Sequence, residues 1–141
     1  MINYKSKIAT FTKKNMGLFG NKNEVKTSNS QVAWIALEDL GQLNEIKTVS
    51  DDKFVLIFKH STGCIVSRMA LKQFEKVYKN NNQTTNYFLD LLAFREISNA
   101  IATTFDVQHQ SPQVLIISNG KCVYKASHDA IDAEIIDSKT F

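Results

Sequence analysis

Cys64 and Ser67 are the residues of this chain whose types and spacing best suit chemistry, because they form a C-x-x-S pattern where a helix is expected to begin. Cys64 follows an apolar run over residues 54–58 and a turn over residues 60–63, and a segment with helical spacing comes after it. The N-terminus of a helix has unpaired backbone N–H groups and a partial positive charge, so it stabilises the thiolate form of a cysteine placed there. Because a thiolate attacks disulfides and a thiol does not, the pattern predicts thiol–disulfide exchange with Cys64 as the nucleophile.

Several neighbours of Cys64 suit a supporting role. Ser67, one helical turn later, is predicted to donate a hydrogen bond to the thiolate, and since it has no sulfur it cannot close an internal disulfide with Cys64. Thr62 is placed to cap the helix with its hydroxyl, although a cap without any catalytic role explains it equally well. Gly63 would allow close approach of a substrate backbone, and Arg68 either helps to bind an anionic substrate or belongs to the solvated face of the helix.

Composition and charge exclude several other classes of protein. The 141 residues, 43% of them apolar, suit one domain with an ordinary core, and a net charge of +3 is too small and dispersed to indicate a nucleic-acid or anionic-membrane partner. Two cysteines are too few for a secreted disulfide scaffold, and together with three scattered histidines they show no zinc-ligand spacing. The sequence contains no pattern typical of a signal peptide or a membrane span. We therefore expect a soluble cytoplasmic protein without a metal.

The rest of the chain alternates between strand and helix patterns that would position these residues. Strands are predicted over residues 32–37, 54–58 and 87–92, and each is followed by a helix, over residues 38–48, 66–77 and 95–105. A hairpin over residues 113–126 and a final helix that starts near Ser127 complete the chain. In the second helix, apolar residues recur with the spacing of one buried face, at Val66, Ala70, Phe74 and Val77. This order predicts an α/β domain over residues 31–141, with a central mixed sheet flanked by helices, preceded by a flexible N-terminal tail over residues 1–30.

Four short segments resemble a known family. They are residues 58–67, residues 109–113 around Pro112, the Asn119-Gly120 turn, and residues 126–128. In this order and on these elements they are similar to the monothiol bacilliredoxins of the YtxJ group, thioredoxin-like proteins of the bacillithiol system, over about residues 34–136. The resemblance implies a thioredoxin-like fold. The family usually has proline directly after the active cysteine, where this chain has Ile65.

The resemblance also implies an activity and further site residues. The protein would remove bacillithiol, or a similar low-molecular-weight thiol, from mixed disulfides on oxidised client proteins. Its partners would be these S-thiolated clients and the small thiol as co-substrate, with no tightly bound cofactor. Pro112 would be the cis-proline that faces the active cysteine, and the backbone of Ser111 would pair with the substrate. A second thiol, most simply free bacillithiol, would resolve the mixed disulfide formed on Cys64.

Other interpretations of the same residues stay open. Cys122 is predicted to be a small buried hydrophobic residue rather than a resolving thiol, and His60 and His128 to be structural residues rather than acid–base catalysts. A monothiol glutaredoxin-like protein that uses another small thiol is one alternative function. A non-catalytic thioredoxin-like binding module, in which Cys64 docks a partner without turnover, is another.

Overall fold

One six-stranded sheet with helices on both sides is seen in a computed structural model that describes residues 24–25 and 30–138. The strands are β1 (Glu24–Val25), β2 (Trp34–Ala36), β3 (Phe54–His60), β4 (Thr84–Asp90), β5 (Gln113–Ser118) and β6 (Lys121–Ser127). The helices are α1 (Gln42–Val49), α2 (Ile65–Val77), α3 (Arg95–Thr104) and α4 (Ala133–Ser138), and a 3₁₀ turn covers His128–Ala130. None of the helices in the described ranges is long and apolar enough to cross a membrane.

β3 lies inside the sheet, where its apolar run is covered on both faces. The strand order is β1-β2-β4-β3-β5-β6. β4 runs parallel to β3, with Phe88 beside Phe58, and β5 runs antiparallel to it on the other side, with Val114 beside Phe58. The sheet is therefore mixed, as predicted, and the carboxyl ends of β3 and β4 share an edge with the amino end of β5.

The alternation of side chains along β3 supplies a core on each face of the sheet. Val55 and Ile57 pack with apolar residues of α1 and α3, and Leu56 and Phe58 pack with those of α2 and α4. All four of these strand residues are fully buried. Burial on both faces explains why the segment is a continuous apolar run rather than an alternating one.

The β5–β6 hairpin closes at Asn119 and Gly120, as predicted. Their φ angles of 50° and 73° lie in the left-handed region that this residue pair tolerates. The Asn119 N–H donates to the Ser50 carbonyl at 2.7 Å, and the Gly120 N–H donates to Ser50 Oγ at 2.8 Å. The turn is thus attached to the end of α1.

The last helix begins later than predicted. β6 continues through Ser127, which pairs with Gln113 of β5. The 3₁₀ turn follows, with a φ of 55° at His128, and α4 begins only at Ala133. The helix predicted to start near Ser127 is thus divided: a 3₁₀ turn with Ser127 as its N-cap begins there, Ile131 follows that turn, and Ile135 lies in α4.

Two residues of the predicted tail belong to the sheet. β1 pairs antiparallel with β2, with Glu24 opposite Ile35 and Val25 opposite Trp34. Residues 1–23 and 26–29 of that segment lie outside the described residues.

Candidate active site

Cys64 occupies the N-cap position of α2, so the structure places it at a helix N-terminus as predicted. Its backbone is extended, with φ −110° and ψ 124°, and its carbonyl accepts the N–H of Arg68 at 3.0 Å. Its own N–H donates to the Ser61 carbonyl at 3.2 Å, which closes the turn after β3. Cys64 is partly exposed and unpaired. A partly exposed sulfur at the start of a 13-residue helix meets the geometric requirement for a reactive thiolate.

Ser67 supports the turn that precedes Cys64. Its fully buried hydroxyl accepts the Ser61 N–H at 3.0 Å and lies 2.8 Å from His60 Nδ1. A bond from Ser67 Oγ to the sulfur of Cys64 is not among the hydrogen bonds of the described residues. The hydroxyl thus bonds to the turn that precedes Cys64, and its donation to the thiolate stays a prediction.

His60 is the last residue of β3 and is buried. Burial lowers its pKa below the ordinary value, and the negative charge of Asp90, its neighbour on β4, offsets this in part. Its ring is consequently neutral at pH 7 and can serve as a hydrogen-bond partner for Ser67. This agrees with the prediction of a structural role.

Thr62 does not cap α2. The N-cap is Cys64, two residues later, and no side-chain capping hydrogen bond is made to this helix within the described part of the chain. Thr62 is exposed within the turn. The prediction is wrong because the turn closes through the Ser61 carbonyl and the Cys64 N–H, so the helix begins two residues later than a Thr62 cap requires.

Gly63 and Arg68, both predicted to contact substrate, lie on either side of Cys64 and are exposed. A methyl group added at Gly63 would lie 3.3 Å from Leu92 Cδ1, so a larger residue would push against the turn after β4. Arg68 lies one turn into α2, and its positive charge contributes to lowering the pKa of His60.

Ser111 and Pro112 lie at the same edge of the sheet as Cys64. The peptide bond between them is cis, as the resemblance implies. Because Gln113 pairs with Lys59, Pro112 lies beside the carboxyl end of β3, from which the Cys64 turn departs. The Pro112 carbonyl accepts the His128 N–H at 3.1 Å. Ser111 Oγ is buried and has no hydrogen-bond partner among the described residues.

An exposed apolar patch surrounds the N-terminus of α2, and sequence periodicity assigned it wrongly. Ile65, Val66 and Met69 are 65%, 56% and 66% exposed. The buried residues of α2 are Ser67, Leu71 and Phe74, so Val66 is not part of the buried face as predicted. The apolar pattern gave the wrong face because Ser67, a polar residue, lies on the buried side of the helix. Large exposed apolar side chains next to a thiol suit contact with another protein.

Sequence reasoning also missed a buried cation at this edge. Lys59, on the face of β3 opposite to His60, has no exposed surface and lies 2.6 Å from His109 Nδ1, measured from its Nζ. Burial lowers its pKa from 10.5 to about 8. The signal in the sequence was a lysine placed directly after the apolar run of a covered strand.

Cys122 lies at the opposite end of the sheet. It pairs with Ile117, which pairs with Val55 near the start of β3. Five residue steps separate Val55 from His60, or roughly 17 Å of strand at about 3.3 Å per residue. A disulfide with Cys64 would need Cα atoms within about 7 Å, so the fold keeps the two thiols apart.

The surroundings of Cys122 are those of a core residue. Its side chain packs against the core of the α1 and α3 face, and its thiol donates to the Tyr124 carbonyl at 3.3 Å. Burial raises the pKa of this thiol. These contacts agree with the prediction of a small buried side chain. No group of three or more potential metal ligands occurs among the residues that the structure describes.

Comparisons with known proteins agree with this geometry. A proposed oxidoreductase with a thioredoxin fold is 28% identical, with a TM-score of 0.64, and the match covers 74% of this chain and 91% of that protein. Thioredoxins from Malassezia sympodialis and Fasciola hepatica superpose with TM-scores of 0.58 and 0.57 at 16% and 17% identity, covering 81% and 74% of this chain and 91% and 95% of theirs. The predicted thioredoxin-like fold is confirmed. The family model for the monothiol bacilliredoxin BrxC matches residues 35–136, and the chain therefore belongs to the monothiol bacilliredoxin family.

Proposed function

We propose that the protein removes bacillithiol from mixed disulfides on oxidised client proteins, using Cys64 as its single redox-active residue. The observation that carries the proposal is the position of Cys64 at the N-cap of α2, with Ser67 where a dithiol protein would have its second cysteine. Cys122 is too far away to replace that cysteine. A protein of this family with one usable thiol needs an external thiol to complete its cycle.

The reaction consists of two thiol–disulfide exchanges. The Cys64 thiolate attacks the bacillithiol sulfur of the client's mixed disulfide, and the client cysteine leaves as a thiolate that takes up a proton. The new disulfide joins Cys64 to bacillithiol. A second bacillithiol thiolate then attacks the bacillithiol sulfur of this adduct, which releases bacillithiol disulfide and restores the Cys64 thiolate. The balance is kept because the client sulfur is reduced from the disulfide to the thiol level while the sulfur of the free bacillithiol is oxidised from the thiol to the disulfide level.

Four neighbouring residues would bind the substrate. The backbone of Ser111, held next to Pro112, would pair with the client chain, and Gly63 would let that chain approach the sulfur. Arg68 would attract the negative charges of a small anionic thiol. A reducing compartment such as the cytoplasm suits two unpaired thiols, and it is the proposed location.

The exposed apolar patch around Ile65 favours protein clients over small disulfides as substrates, and it also favours the second candidate function. In that candidate, a non-catalytic binding module, the patch and Cys64 would hold a partner without turnover. The two functions differ in whether the small thiol moves.

Intact-mass spectrometry tests the proposal. The wild type and the Cys64→Ser and Cys122→Ser variants are incubated with a client carrying bacillithiol and, in parallel, with the same client carrying glutathione. We expect the wild type and Cys122→Ser to gain the mass of one bacillithiol, faster than that of glutathione, and Cys64→Ser to gain nothing. Absence of any adduct on wild-type Cys64 would overturn the enzyme proposal in favour of the binding module. Equal transfer of glutathione would favour the glutaredoxin-like alternative.

A further inference from the structure

Lys59 is a lysine in a position that the fold would ordinarily give to an apolar residue. It follows Val55 and Ile57 on the same face of β3, and like them it has no exposed surface. Lysine is almost never fully buried unless it is paired, because the ammonium loses its hydration. What pairs with Lys59 therefore indicates what it does.

Among the described residues, the two hydrogen-bond partners of the Lys59 side chain lie on the segment that carries the cis-proline. Its Nζ is 2.6 Å from His109 Nδ1 and donates to Gln113 Oε1 at 3.4 Å. Gln113 in turn holds the segment at two further points. Its Oε1 accepts the Gln110 N–H at 3.4 Å, and its Nε2 donates to the Gln108 carbonyl at 3.0 Å. The Lys59 ammonium and the Gln113 side-chain amide thus connect residues 108–113 to the end of β3 by hydrogen bonds.

We propose that Lys59 is a positioning residue for exchange at Cys64: through His109 and Gln113 it holds residues 108–112, including Ser111 and Pro112, at the sheet edge from which the Cys64 turn departs. The inference rests on the proposed function, because the segment matters only if a client chain binds along it. Lys59 itself does not touch the reacting sulfurs. It lies on the α1 and α3 face of the sheet, whereas α2 lies on the other.

The pair of Lys59 and His109 also makes the segment sensitive to acid. An ammonium can only donate, so His109 Nδ1 must accept and the ring proton must be on Nε2. Protonation of His109 would remove this acceptor and place two positive charges 2.6 Å apart. The groups facing the ring are Lys59 from β3 and Arg95 and Ser98 from α3, and Ser98 Oγ lies 3.3 Å from the same nitrogen. Partial burial, then the charges of Lys59 and Arg95, lower the pKa of His109, so the pair is intact at neutral pH.

The main test compares Lys59→Met with Lys53→Met, a control that removes an exposed lysine from the other end of β3. Three quantities are measured: exchange with a bacillithiol-loaded client, alkylation of Cys64 by iodoacetamide, and amide hydrogen exchange over residues 108–112. For Lys59→Met we expect client exchange to slow about 10- to 100-fold, as displacement of a binding element can do. Alkylation stays at the wild-type rate, and amide exchange over the segment becomes faster. The control matches the wild type in all three.

The outcomes separate this inference from the proposed function. If the wild type does not exchange with the client, the proposed function fails, while amide exchange still decides whether Lys59 holds the segment. If Lys59→Met exchanges with the client at the wild-type rate, or leaves the amides of 108–112 unchanged, the positioning role is wrong. Methionine has a similar length and suits a buried site, so the variant is expected to fold.

A pair of substitutions at His109, which is on the surface, tests the same contact without disturbing the core. His109→Ala removes the acceptor, and His109→Asn replaces it with an oxygen that cannot be protonated. We expect the alanine variant to lose exchange activity, and the asparagine variant to keep it and to decline less in rate than the wild type between pH 7 and 5, the remaining decline being that of the attacking thiolates. If the two variants have the same exchange rate and the same pH dependence, a hydrogen-bond acceptor at position 109 does not affect exchange and the inference fails.

Discussion

Lys59 and His60 are consecutive residues at the end of β3, and they make hydrogen bonds on opposite sides of the candidate site with physically different groups. His60 faces α2 and, with Ser67, holds the turn that carries Cys64. Lys59 faces the other layer and, with Gln113, holds the segment that carries Pro112. The first cluster consists of neutral hydrogen-bonding groups, whereas the second contains a buried cation.

The difference predicts opposite effects on stability. A neutral buried group with its hydrogen bonds made contributes modestly to folding, and leaving its partner unsatisfied costs more than the bond contributes. A buried ammonium loses its hydration, and the replacement of buried charges by apolar groups is often stabilising. The hydrogen bonds of Ser67 with Ser61 and His60 are thus expected to support the fold, and burial of Lys59 is expected to lower its stability.

The largest expected effect is a gain of stability in Lys59→Met. The pKa of Lys59 falls from 10.5 to about 8 on folding, a difference worth about 3 kcal/mol at pH 7. Between pH 8 and 10.5 the unfolded state binds more protons than the folded state, so the free energy of unfolding of the wild type should rise across this range. The variant lacks this rise, and we expect it to be more stable by about 2 to 3 kcal/mol at pH 7, with the advantage shrinking as the pH increases.

Urea unfolding from pH 7 to 10 measures this effect. Tyr78 and Tyr87, whose pKa values burial raises to about 12, titrate in both proteins, so their contribution cancels in the difference. Lys53→Met is the control and should show no such gain. A variant less stable than the wild type at pH 7 would contradict the view that Lys59 costs stability.

Ser67→Ala should act in the opposite direction. It leaves the Ser61 N–H and His60 Nδ1 without their partner in a buried site, so we expect the free energy of unfolding to fall by about 2 kcal/mol. Ser118→Ala, which removes a hydroxyl at the far end of β5, is the matched control and should change it by less than about 0.5 kcal/mol. Equal values for the two variants in urea unfolding would show that the Ser67 cluster does not support the fold.

The acid side of the pH profile should report on His60. Its pKa is lowered on folding by burial, so below about pH 6.5 the unfolded state takes up a proton that the folded state resists. Stability from this source is complete above pH 6.5 and is lost as the pH falls from there. His60→Phe removes the titrating group, and its unfolding free energy should decline less than that of the wild type between pH 7 and 5. Parallel declines in the two proteins would exclude His60 as the source.

Much of the fold could be predicted because it depends on local apolar patterns. The run over residues 54–58 predicted a covered strand, and the Asn119-Gly120 pair predicted a hairpin that the structure confirms. The errors have two causes. Ser127 is in a strand because Gln113, a residue of another strand, pairs with it. Val66 was assigned to the buried face of α2 because that face contains a polar residue, Ser67, which an apolar pattern does not reveal.

The features of the candidate site could likewise be predicted only where they depend on residues close together in the chain. The position of Cys64 could be predicted because a strand, a turn and a helix start lie within a few residues of it. The cis geometry at Pro112 came only from the family resemblance, since nothing in the neighbouring residues requires it. The pair of Lys59 and His109 was missed because fifty positions separate the two residues, and a lone lysine at a strand end is usually solvated.

The smallest expected effect tests whether the two clusters are independent. Lys59 and Ser67 share no hydrogen-bond partner and act on opposite faces of the sheet, so their substitutions should be nearly additive. In the double variant Lys59→Met with Ser67→Ala, we expect the gain and the loss of stability to sum to within about 0.5 kcal/mol of the single effects. The coupling energy is measured by urea unfolding of the wild type, the two single variants and the double variant at pH 7. A larger value would mean that a change on one face of β3 alters the packing on the other face. In that case the turn of Cys64 and the segment of Pro112 would be one cooperative unit, and a change in exchange rate after either substitution could not be assigned to one side of the site.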